Sequence, residues 1–158
     1  MFLPRRARAT HSVLVGEMPL TQSDAIEVKR VRGKGRGVFA RRPIEAGEVI
    51  ETCPVLVLPA DSVEDVSAGI GGYVFEWGHG KLALALGYGS LYNHSYRPNA
   101  RYVDLAGRTK VFTALRDIAA GEEITVNYNG EPGDETPVGF EVVEGPNSSA
   151  MNGSSDLG

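Results

Sequence analysis

The stretch "SLYNHSYRPNA", residues 90–100, breaks the pattern around it. It follows "KLALALGYG" (81–89), which alternates as a half-buried strand does. It then brings Asn93, His94, Ser95, Pro98 and Asn99 together in one short segment. Taken alone, the stretch reads as a turn, a metal ligand or a piece of a catalytic triad. The metal reading has little behind it. His11, His79 and His94 are the only histidines, none forms a close pair or an HExxH spacing, and Cys53 is the lone cysteine. The triad reading lacks a nucleophile elbow around Ser95. No metal is expected.

The bulk numbers narrow the field. A chain of 158 residues suits one domain with a real core. No apolar run is long enough to cross a bilayer, so no membrane partner is expected. A single cysteine excludes a disulfide framework within one chain. The net charge of −4 is unevenly spread. Residues 131–158 hold six acids and no Lys or Arg, whereas seven basic residues fall within Lys29–Arg42. That cluster is either a solvated strand face or a patch for an anionic ligand or nucleic acid.

Working outward, most of the chain reads as short strands. "IEVKRV" (26–31) alternates apolar and charged residues. "GKGRG" (33–37) is no phosphate loop: it lacks GxxxxGK[ST] and precedes the strand-like "VFA" rather than a helix. "VIETCPVLVLP" (49–59) is a strand that Pro54 makes an edge or a bend. "YVFEW" (73–77) and "KLALAL" (81–86) form a hairpin through "GHG", and "ARYVDL" (100–105) pairs with "KVFTAL" (110–115). One short helix fits 61–69, capped by Asp61 or Ser62 and ended at Gly69. "PIEAGEVI" (43–50) and "DIAAGEEI" (117–124) read as two similar hairpins. Residues 1–20 form a flexible arm, 21–130 the domain, 131–145 a segment with the apolar island "VGFEVV", and 146–158 a disordered tail.

Three signals occur in a fixed order: "GRGVFA" (35–40), "NHSYRPNA" (93–100) and "GEEITVNY" (121–128). Together they resemble the SET-domain protein-lysine N-methyltransferases, over about Ile26 to Tyr128. The closest likeness is to the short, stand-alone SET proteins of microbes and viruses. The resemblance implies a mainly β (α+β) fold, the SET β-clip of small curled sheets. Its C-terminal strand would pass under the Asn-His-Ser loop as a pseudoknot. The implied activity is methyl transfer from S-adenosylmethionine to a lysine amine. Lys34, Gly35, Arg36, Gly37, Asn93, His94 and Tyr128 would contact the cofactor, and Tyr128 would be the catalytic residue. Tyr73, Tyr88, Tyr96 and Phe140 are candidates for the lysine channel. The alternative is a catalytically silent SET fold that binds cofactor or a partner.

The chain departs from that family in places. Tyr96 stands where many relatives have Cys after Asn-His-Ser, and the Cys-rich zinc segment that often completes the channel is absent. The 131–145 segment could replace it, with Phe140 covering the site, or a second copy in a homodimer could finish the channel. The acceptor would be a protein with an exposed lysine: a histone tail or a ribosomal, DNA-associated or host protein. Direct nucleic-acid binding is not required. Such an enzyme would act in the cytoplasm, at the nucleoid or nucleus, or in a host cell after secretion.

Overall fold

In the computed structural model, residues 20–61 and 69–144 are described. The expected arm over 1–19, the body of the helix expected over 61–69 and the tail from 146 lie outside the described residues. Among the described residues, nine strands make two small sheets. They are β1 (Ile26–Val31), β2 (Gly35–Ala40), β3 (Val49–Pro59), β4 (Val74–Glu76), β5 (Lys81–Ala85), β6 (Asn93–His94), β7 (Ala100–Leu105), β8 (Thr109–Ala114) and β9 (Glu123–Val126). One sheet has the order β1-β2-β9-β6 and the other β4-β5-β3-β8-β7. The architecture is the mainly β one that the sequence implied.

Alternation builds the core. In β8 every second residue, Lys110, Phe112 and Ala114, is buried. Phe112 is the hub: Tyr92 stacks on it with centroids 4.3 Å apart, and Phe75 and Tyr102 pack against it at 6.5 and 6.0 Å. Such aromatic contacts add about 0.5–1.5 kcal/mol each beyond the area they bury. Lys110 occupies a core position because its charge is satisfied there. Its Nζ bonds Asp104 and lies 4.3 Å from the Phe75 ring and 4.2 Å from that of Tyr102. Burial pulls its pKa below the ordinary lysine value, and the bond to Asp104 opposes that.

At Pro54, where an edge or a bend is expected, β3 changes partners. The first half of β3 pairs with β8 up to Pro54↔Thr109, and the second half pairs with β5 from Val55↔Ala85 onward. A residue without an N–H fits the point where the strand changes partners. Its carbonyl still accepts from the Leu86 N–H at 3.0 Å.

The two echoed segments are not hairpins. One leads from β2 in the first sheet to β3 in the second; the other leads from β8 back to β9. They meet each other, with Ile44 and Ile118 exchanging both backbone hydrogen bonds at 2.9 Å. Each turn carries Gly at positive φ, Gly47 at 83° and Gly121 at 82°. Each is closed by the same device: Glu48 accepts from the Glu45 N–H and from Arg42, as Glu122 accepts from the Ala119 N–H and from Arg116.

The loop after β6 grips the last strand. β6 lies parallel to β9, pairing Asn93 with Thr125 and His94 with Val126. Asn99, only 2% exposed, locks the crossing. Its amide donates to the Glu123 carbonyl at 2.8 Å and to Glu122 Oε1 at 3.1 Å, and its Oδ1 accepts the Thr125 N–H at 2.9 Å.

Candidate active site

A cleft of about 570 Å³ opens where the 90–94 segment, the end of β9 and the β1–β2 turn converge. That volume suits a ligand of cofactor size. Lys34, Arg36, Asn93, His94 and Tyr128 all line it, as do Tyr73 and Phe140. Seven of the residues singled out from sequence are thus brought to one place. Four are not. Gly35 faces a neighbouring depression. Tyr88 packs against the core and gives its N–H to Glu51 Oε1 at 2.9 Å. Tyr96 stands behind His94, edge-on at 4.5 Å, with its hydroxyl accepting the Val138 N–H. Gly37 is buried beneath the wall. A Cβ there would come within 2.7 Å of both Asn93 Nδ2 and Glu123 Oε1, so this glycine makes room for that pair rather than for a ligand.

Glu123 organises one side of the cleft. It accepts from Asn93 Nδ2 at 2.7 Å and pairs with Lys34 Nζ at 3.5 Å, while Asn93 Nδ2 also reaches the Arg36 carbonyl at 3.1 Å. The β1–β2 turn, β6 and β9 are thereby fixed to one another. Sequence reading passed over Glu123 as an ordinary strand residue; its signal was the second acid of "GEEITV". Gly71 and Gly72, beside the expected Tyr73, carry no sequence signal of their own, yet both line the cleft with Gly69.

His94 is 4% exposed and holds Tyr128 in place. Its Nδ1 accepts the Tyr128 N–H at 3.0 Å, so the neutral ring carries its proton on Nε2. Among the described residues that Nε2 is buried without a partner. Burial lowers the His94 pKa; the nearby Glu144 charge works against this and Lys34 with it. Tyr128 is fixed at its far end too, where its hydroxyl donates to the Tyr92 carbonyl at 2.9 Å. Desolvation of that hydroxyl, with the charge of Glu123, pushes its pKa up to about 12. At neutral pH it is therefore a phenol, and its oxygen keeps lone pairs for accepting a hydrogen bond.

The segment after β9 folds back over these residues. Asn127 donates to the Asp134 carbonyl and Asn129 to that of Thr136. Phe140 comes to 6.0 Å from the Tyr128 ring and 6.1 Å from that of His94. Glu144 closes the wrap: one oxygen accepts the Ser95 hydroxyl at 2.7 Å, the other the Tyr96 N–H at 3.1 Å. No sequence pattern announces Glu144, which lies 49 residues from Ser95.

Comparison with known proteins bears on the fold and the family. The SET-domain profile matches residues 35–129, more than half of the chain. The histone-lysine N-methyltransferase, H3 lysine-37 specific, of Schizosaccharomyces pombe is 36% identical over 106 residues, covering 65% of this chain and 72% of that protein. Histone-lysine N-methyltransferase 2B of Homo sapiens is 35% identical and trithorax of Drosophila virilis 36%, each over 68% of this chain. The match spans only 4% and 3% of those two much longer proteins. Among solved structures, a Plasmodium falciparum protein described as a histone methyltransferase superposes with a TM-score of 0.55 at 28% identity, covering 69% of this chain and 95% of that one. On its fold, on the order of its motifs and on this likeness, the chain belongs to the SET-domain family of protein-lysine methyltransferases.

Proposed function

We propose that this chain moves a methyl group from S-adenosylmethionine to the side-chain amine of a lysine in a histone or another basic, DNA-associated protein, acting in the compartment where that protein resides. The observation that carries the reading is the convergence of Lys34, Arg36, Asn93, His94 and Tyr128 on one cleft. The residues present suit the cofactor. The cleft combines cations for a carboxylate with aromatic rings for an adenine, and the orphaned Nε2 of His94 is a buried donor in want of an acceptor. Lys34, Arg36, Asn93 and His94 would hold it.

When bound, the cofactor supplies an electrophilic methyl on a sulfonium. The chain supplies position and dryness. Tyr128, held at its N–H by His94 and at its hydroxyl by Tyr92, offers a fixed oxygen that can orient an amine. Lysine must lose its proton to attack, and its free pKa is about 10.4. Walls of Tyr73, Tyr128 and Phe140 disfavour the ammonium and lower that value. Val138 and Phe140, from the segment after β9, contribute to the wall of the cleft in cis.

Two measurements test this. Calorimetry should detect S-adenosylmethionine binding, and Asn93→Ala should weaken it. Mass spectrometry of histones incubated with enzyme and heavy-methyl cofactor should show labelled lysine. Binding without label would mean a silent fold; the absence of both would defeat the proposal.

A further inference from the structure

The tip of the β1–β2 hairpin holds two arginines, Arg30 and Arg32, that the cleft does not account for, and Arg36 stands on the border between tip and cleft. Arg30, Arg32 and Arg36 are exposed, and among the described residues no carboxylate pairs with any of them. The nearby acids are engaged elsewhere: Glu27 with Lys29, Glu123 with Lys34. The register makes the arrangement worse, because Arg30 lies directly opposite Arg36 across the antiparallel pair. Like charges in that position destabilise a sheet unless an anion sits between them.

The three arginines rim a shallow depression of about 950 Å³, with Gly33 and Gly35 as its floor and Tyr73 at its side. A Cβ at either glycine would meet nothing within 4 Å, so the floor is open. Beyond the tyrosine and Val31 the surface offers no apolar anchor of the kind that centres a protein–protein interface. Guanidinium forks match phosphate oxygens, and charge-dominated, apolar-poor surfaces are the mark of protein–DNA contacts. Gly33, Arg36 and Tyr73 also line the catalytic cleft, so the two sites adjoin.

We infer that the β1–β2 hairpin tip docks on the phosphate backbone of duplex DNA beside the cleft, so that the preferred substrate is a lysine on a protein already bound to DNA. The substrate half of this inference rests on the methyltransferase reading; the DNA half does not.

The test is fluorescence anisotropy of the full chain with a 5′-labelled duplex of about 25 base pairs, titrated across about 25–150 mM salt. Two phosphate contacts, by Arg30 and Arg32, give a log–log salt slope near −1.8 (about 0.9 per contact). Arg30→Ala combined with Arg32→Ala should reduce the slope by about 1.8 and weaken low-salt binding at least tenfold. Arg30→Lys with Arg32→Lys should retain most of the binding. Both double variants should methylate a free lysine peptide at the wild-type rate, since neither position lines the cleft, and wild type should prefer DNA-bound substrate over free. No wild-type binding at 25 mM salt, or unchanged binding by the alanine pair, would overturn the inference. Equal competition by poly-glutamate or by phosphatidylserine vesicles would also overturn it, in favour of an acidic protein or a membrane. DNA binding without any methylation would leave the docking surface standing and remove the enzymatic reading instead.

Discussion

Replacing Asn99 by alanine should loosen the crossing on which the cleft depends. The side chain is 2% exposed and makes three hydrogen bonds to the 122–125 stretch. Its loss leaves the Thr125 N–H without its acceptor, at a cost of about 1–3 kcal/mol. The Glu123 carbonyl also loses its bond from Asn99, adding roughly 0.5–1.5 kcal/mol. The sum is about 1.5–4.5 kcal/mol, or a drop of roughly 5–14 °C in Tm at about 3 °C per kcal/mol. Urea titration followed by tryptophan fluorescence would measure it. A companion variant sharpens the test. Asn99→Asp keeps an acceptor for Thr125 but sets a carboxylate beside Glu122 Oε1. It should be as unstable as the alanine variant at neutral pH and recover as pH falls toward about 4, because the folded state would hold that proton more tightly than the unfolded chain. A loss under about 0.5 kcal/mol for Asn99→Ala would refute the claim that this residue clasps β9.

Three further outcomes are expected. Tyr128→Phe should cut turnover at least tenfold, about 1.4 kcal/mol of barrier, while calorimetric cofactor affinity stays within about twofold; equal loss of both would move Tyr128 from catalysis to binding. Glu144→Ala removes two bonds that hold the covering segment and should raise the cofactor KM about tenfold with a smaller change in kcat, and an unchanged KM would show that segment to be irrelevant to the cleft. The folded pKa of His94 lies below the ordinary 6.5, so the unfolded chain takes up that proton first: the stabilisation is complete above pH 6.5 and drains as pH falls through the folded value. Denaturant midpoints from pH 8 to 5 should therefore slope less in His94→Asn than in wild type, and parallel slopes would acquit His94.

The strands were legible because their patterns are local. "IEVKRV" coincides with β1, and the "GHG" hairpin joins β4 to β5. That Pro54 interrupts the ladder of β3 is legible from its missing N–H; that the strand changes partners there is not. The paired Ala-Gly-Glu turns were visible as an echo, yet their contact through Ile44 and Ile118 spans 74 positions and belongs to tertiary structure. The burial of Lys110 is not legible in the sequence, because only the folded chain gathers Phe75, Tyr102 and Asp104 around it. The family motif pointed to Asn93, His94 and Tyr128. Glu144 escaped notice because two hydrogen bonds from a lone acid leave no spacing to read.

The pairing of β6 with β9 also bears on when the site comes into being. A ribosome makes the glycine hairpin first, the Asn-His-Ser loop next, Glu123–Tyr128 after it and the covering segment later still. Until β9 docks, Asn93 lacks Glu123, His94 lacks the Tyr128 N–H, and the Thr125 N–H has no clasp. The cleft is therefore absent from any partly synthesised chain. Assembly of the pocket waits on the docking of β9, however early the hairpin and the loop are made.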